Sequence, residues 1–176
     1  MEPLYIQEGE VRMNNDTDKV PANGDPVNIV VWYDYIWPWC YVGLERVDKL
    51  ASEYEIAVQG RAYLLRPDTP KEGRERPQRP GDTEDELSEP LRSQAKDAGL
   101  IIRPARRTPN TLYALEATEY AQQHGKFLEF HHAAYKAFWE DRQDIGEMEI
   151  LHKVGHEVGL DADDMVKSLE EGIYAK

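Results

Sequence analysis

Residues 27–43 read VNIVVWYDYIWPWCYVG, and the fold is decided there. Val27 to Tyr33 is a run of β-branched and aromatic side chains, preceded by Asn23-Gly24-Asp25-Pro26. Such a run behind a turn signal predicts a buried strand. Asp34 then opens a turn, Trp37-Pro38-Trp39-Cys40 follows, and Leu44, Val47, Asp48, Leu50 and Ala51 continue as an amphipathic helix. The one cysteine of the chain therefore stands just inside a helix that follows a strand. Unpaired N–H groups and the macrodipole favour a thiolate at such a helix start.

Thioredoxin-like proteins keep their redox motif at this place, after the first buried strand. The stretch resembles the DsbA family, in particular its FrnE-like branch, whose members carry Cys-Pro-Trp-Cys-Tyr-x-Gly there. Residues 38–43, PWCYVG, match that signature. Trp37 departs from it, standing where the family has its first cysteine, the exposed nucleophile. The resemblance continues through residues 61–68, RAYLLRPD, and into the helical half, covering residues 27 to about 172. It implies an α/β, thioredoxin-like fold with an all-helical insertion between the second and third strands.

With 176 residues and a hydrophobic content of 40%, the chain can build one core and needs no second independent domain. A net charge of −13 argues against nucleic acid and anionic membranes as partners, since both are bound by Lys and Arg. No basic segment precedes an apolar run and no window is long enough to span a membrane, so a cytoplasmic location is expected. One cysteine cannot close a disulfide within the chain. Any disulfide must join another chain or a small thiol.

Residues 1–26 are polar and read as a mobile N-terminal extension, in which Leu4-Tyr5-Ile6 and Val11-Arg12-Met13 could form a hairpin. Residues 27–65 make a β-α-β unit, whose second strand, over residues 55–65, is expected to be interrupted at Gly60. A right-handed crossover puts the carboxyl ends of both strands on one edge, so the segment leaving Leu65 should emerge beside Trp37 to Cys40. That segment, residues 66–81, is rich in Pro and Arg and reads as a loop without regular hydrogen bonding. It could gate the site. Residues 82–176 are helical: Ser88 and Pro90 open one helix that Gly99 ends, and Thr108 and Pro109 open another that Gly125 ends. Phe127, Phe130, His131, Ala134, Tyr135 and Phe138 share one helix face, Asp144 opens a helix ending at Gly159, and Asp161 opens a last one ending near Gly172.

Cys40 is the one candidate catalytic residue, with Trp37, Pro38, Trp39 and Tyr41 as the motif residues facing a substrate. In a complete pair the first thiolate attacks a substrate disulfide and the second releases the mixed disulfide. Indole can donate one hydrogen bond but cannot act as nucleophile or base, so thiol–disulfide chemistry should be impaired by Trp37. The same residue argues against the serine-dependent glutathione chemistry of the related kappa-class transferases and chromene isomerases. Asp34 and Glu45 lie near the motif and could influence the thiol. His152 and His156 are one helical turn apart but lack a third ligand; His131 and His132 cannot share a face. No metal site and no cofactor is expected. The resemblance implies a protein or peptide thiol, or a small thiol such as glutathione, as partner. The competing reading is a non-enzymatic peptide- or protein-binding module on the same scaffold.

Measured against the family, the chain stops before a cis-proline step and two antiparallel strands that complete the sheet. The expected sheet is therefore incomplete, with an unpaired edge. Either a hairpin of residues 3–13, with Pro3 facing the motif, or a second copy in a homodimer should cover it.

Overall fold

A computed structural model describes residues 27–175. The N-terminal extension, with the hairpin expected over residues 3–13, lies outside the described residues. Val27–Tyr33 forms β1, Pro38–Glu53 forms α1 and Ile56–Ala62 forms β2. β1 and β2 are parallel, in register from Val27 opposite Ile56 to Tyr33 opposite Ala62. Parallel strands need a crossover of this length, and α1 provides it.

Two expectations about these strands are corrected. β1 is not buried along its length: Val27, Val30 and Trp32 are exposed, Trp32 by 58%. Among the described residues β2 is its one neighbour in the sheet, so β1 keeps a bare edge and a bare outer face. Gly60 does not interrupt β2 but continues it. A Cβ there would fall 2.1 Å from Phe127 Cζ, so the glycine makes room for a ring, not for a bulge.

The segment over residues 66–81 is also more ordered in its bonding than its prolines suggest. Arg74–Glu75 (β3) pairs antiparallel with Arg107–Thr108 (β4). Arg74 bridges to Asp68 at 3.1 Å, and Asn110 donates to the Thr69 carbonyl at 2.7 Å. Prolines exclude a helix here, but the residues between them keep the N–H groups that a ladder needs.

The helical part comprises α2 (Leu91–Asp97), α3 (Leu112–Gln123), α4 (Phe127–Tyr135), α5 (Met148–Glu157) and α6 (Ala162–Glu170). Gly99, Gly125, Gly159 and Gly172 follow α2, α3, α5 and α6 at positive φ, as helix stops require. Asp161 caps α6, its carboxylate accepting from Asp164 N–H at 3.0 Å. Elsewhere the starts move. Ser88 supplies no side-chain cap and α2 begins at Leu91; Asp144 caps a turn at Gly146, and α5 begins only at Met148. Thr108 belongs to β4, and Thr111 stands before α3 instead. After α4 the helix widens into a π-turn over Lys136–Glu140, which buries Ala137, Phe138 and Trp139. The core fills the space between these helices and α1, around Tyr35, Val42, Tyr120, Phe130, Tyr135, Leu151 and Met165. None of the described helices is long and apolar enough to cross a membrane.

Candidate functional site

β1 ends by delivering Asp34 into the turn that leads to α1. Its carboxylate is 2% exposed and accepts three hydrogen bonds, from Ile36 N–H at 3.1 Å, Leu65 N–H at 2.7 Å and the Thr111 hydroxyl at 3.0 Å. One side chain thus joins the entry to α1, the segment after β2 and the start of α3. Burial pushes its carboxyl above the ordinary value, and those bonds partly oppose the shift.

Trp37 follows in extended conformation at the N-cap of α1, with no side-chain cap, and Pro38 fills the first helical position. Proline is suited to that place because its missing N–H would have had no partner. Cys40 N–H donates to the Trp37 carbonyl at 2.9 Å. The thiol is half-buried. Burial pushes it above the usual thiol value and the Asp34 charge adds to this, while the Asp34 backbone opposes it; the Tyr135 hydroxyl donates to the Asp34 carbonyl at 3.3 Å. Desolvation outweighs the benefit expected from the helix N-terminus, leaving a mostly neutral thiol at neutral pH.

Cys40 shares a groove of about 190 Å³ with Trp32, Tyr33, Asp34, Trp37, Tyr63 and Leu65. Of the four motif residues expected to face a substrate, Trp37 alone lines it. Trp39 points to solvent elsewhere, while Pro38 and Tyr41 are buried. Tyr41 stacks on Tyr135 with ring centres 5.0 Å apart and donates to Glu140 at 2.8 Å. A position in the first turn of a helix gives no sign from sequence that it faces another helix. Trp32, Tyr33, Tyr63 and Leu65 are the groove residues missed; their signal is position, since parallel strands bring their carboxyl ends to one edge. Leu65 also places the start of the 66–81 segment at that edge, beside Cys40.

Behind Cys40 lies a small cavity of about 20 Å³, bounded also by Tyr33, Leu44, Phe127 and His131. The buried His131 ring meets Tyr33 edge-on, with centroids 4.1 Å apart. Thr118 Oγ1 donates to the Ala114 carbonyl at 2.8 Å, so the Tyr35 hydroxyl donates to Thr118 at 2.5 Å. Its oxygen then accepts from His131 Nδ1–H at 3.1 Å. Burial, followed by the charge of His132, lowers the His131 pKa to about 3 and keeps it neutral. The adjacent His132 turns the other way, toward Glu45 and Asp48. Glu45 is therefore not beside the thiol, whereas Asp34 is. His152 pairs with Asp163 at 2.9 Å.

A parallel β-α-β unit with its cysteine in the first turn of the crossover helix, closed by a layer of helices, defines a thioredoxin-like protein carrying a helical insertion. The chain belongs to the family of DSBA-like thioredoxin domains, which matches residues 28–176. It is similar to the uncharacterized protein YwbO of Bacillus subtilis, with 26% identity over 159 residues, covering 84% of this chain and 74% of that protein. Among solved structures it is similar in fold to a probable DsbA oxidoreductase of Streptomyces coelicolor. The TM-score is 0.69 at 23% identity, over 81% of this chain and 67% of that one.

Proposed function

We propose that this chain is a FrnE-like member of the DsbA family in which the two-thiol cycle is broken at its first step. The observation that carries this is the indole of Trp37 at the N-cap of α1, three residues before the one cysteine. Cys40 alone retains half of the exchange. Its thiolate can attack a disulfide R–S–S–R, forming Cys40–S–S–R and releasing one R–S⁻, but no second thiol follows to resolve the product. Release then needs an external thiol, a peptide cysteine or a small thiol such as glutathione. No cofactor enters this chemistry.

A second reading is favoured by the state of the thiol. A half-buried cysteine held above its ordinary pKa is a poor nucleophile, while Trp32, Trp37, Tyr63 and Leu65 give the groove apolar walls. On that reading the groove holds a peptide without reacting, and the edge of β1 that is unpaired among the described residues offers backbone groups for strand addition, including by a second copy. A cytoplasmic site of action fits either reading.

Turnover of a protein disulfide by excess dithiol distinguishes them from a working oxidoreductase. Wild type should show no catalysis above the uncatalysed rate, and Trp37→Cys should restore it by completing Cys-Pro-Trp-Cys. Equal turnover by both proteins would refute the claim that Trp37 disables the cycle. A mixed disulfide with glutathione, detected by mass in wild type and absent from Cys40→Ser, supports single-thiol chemistry over binding alone.

A further inference from the structure

α1 and α4 meet on a face of the molecule away from the groove. Glu45 and Asp48, three residues apart on α1, lie on one side of that helix, one turn apart. His132 comes from α4 and enters between them, Nε2 lying 2.5 Å from Asp48 Oδ2 and Nδ1 3.5 Å from Glu45 Oε1. One donor atom from each residue can be chosen so that all three lie within 4.8 Å of one another. The three side chains are each about one-third exposed, at 34% for His132 and 32% for the two acids. Among the described residues, neither carboxylate pairs with a lysine or arginine.

We infer that Glu45, Asp48 and His132 form a binding site for a divalent transition-metal cation of zinc type, bridging α1 and α4. Such cations take imidazole nitrogen and carboxylate oxygen at about 2.0 to 2.2 Å, which puts tetrahedral ligands about 3.4 Å apart. Asp48 faces Nε2 and Glu45 faces Nδ1, so a shared cation takes one of these nitrogens and requires the other carboxylate to swing toward it, while the 2.5 Å pair of Asp48 with His132 opens to about 3.4 Å. Two carboxylates and a neutral imidazole supply two negative charges, matching the cation. Their partial exposure leaves the fourth position to water. Oxygen-seeking cations such as calcium want six or more oxygen ligands and are not served by this set. The cation ties the helix that begins at the Cys40 motif to the helix that carries His131 and Tyr135 behind it. The inference does not depend on any activity of Cys40.

The test uses the full chain with Cys40→Ser, which removes the thiol as a competing ligand. Zn²⁺ alone, titrated calorimetrically, should bind at one site in the micromolar range and raise the thermal midpoint. Glu45→Gln, Asp48→Asn and His132→Gln should each weaken binding by about tenfold or more. Ca²⁺ should leave the midpoint unmoved. Imidazole NMR signals of the Cys40→Ser protein give a readout independent of whether those variants fold: Zn²⁺ should shift His132 first. Absence of binding below millimolar Zn²⁺, unchanged affinity in Asp48→Asn and His132→Gln, or a first shift at His152 or His156 would each overturn the inference.

Discussion

Replacing Asp34 by alanine tests whether this buried carboxylate holds the site together. It removes the acceptor of Ile36 N–H, Leu65 N–H and the Thr111 hydroxyl. A buried donor left without a partner costs about 1–3 kcal/mol, so three set an upper range of about 3–9 kcal/mol. Two effects reduce it. The Thr111 hydroxyl can rotate toward another acceptor, and the buried charge, with its desolvation cost, disappears. A net loss of about 3 kcal/mol follows, a large part of the 5–15 kcal/mol typical of a folded domain. Thr111→Val, losing one bond of the three, should cost about 1 kcal/mol. Urea unfolding followed by tryptophan fluorescence at pH 7 measures both. The pH dependence adds a second test. The Asp34 carboxyl is raised in the folded state, so above the ordinary value of 3.8 the folded chain holds more protons than the unfolded one. Its contribution to stability is therefore largest below 3.8 and falls as pH rises through the folded value. Asp34→Asn, which does not titrate, should lack that decline. An Asp34→Ala protein within about 1 kcal/mol of wild type would refute the assignment of Asp34 as the junction of the three segments.

Native-state alkylation of Cys40 should follow a pH profile whose midpoint lies above that of an unstructured cysteine, because burial disfavours the thiolate. A midpoint at or below that of an unstructured cysteine would refute the desolvation of the thiol. Gly60→Val should destabilise the fold by about 1–3 kcal/mol, since its side chain meets the Phe127 ring. Combining it with Phe127→Ala should recover part of that loss in the same urea titration, and strictly additive losses would deny the contact.

The β1-turn-α1 unit could be read from sequence because its signals are local. Apolar β-branched residues, Asp34 at the turn and Pro38 at the first helical position all act within a few residues of where they stand. The helix stops at Gly99, Gly125, Gly159 and Gly172 were readable for the same reason, since positive φ is a property of the residue itself. What escaped was set by distant partners. Thr108 followed by Pro109 is the better local cap, yet α3 starts after Thr111, whose hydroxyl is taken by Asp34. Gly60 looked like a break in a strand because the ring that requires it belongs to α4. Of the two adjacent histidines, sequence placed His131 on the apolar face of α4 but gave no sign that His132 would meet Glu45 and Asp48 of α1. Prolines in residues 66–81 excluded a helix without revealing that Arg74–Glu75 would find Arg107–Thr108.

The seating of Phe127 against Gly60 constrains how this chain can change over time. A ring pressed onto bare strand backbone leaves no latitude at either position taken singly: any side chain at 60 displaces the ring, and a smaller residue at 127 opens a void over β2. The two positions are therefore expected to drift as a pair across descendants, one gaining volume only where the other gives it up. Because one lies in the β-α-β unit and the other in the helical part, domain shuffling that replaced either part alone would have to bring a matching partner for this keyhole.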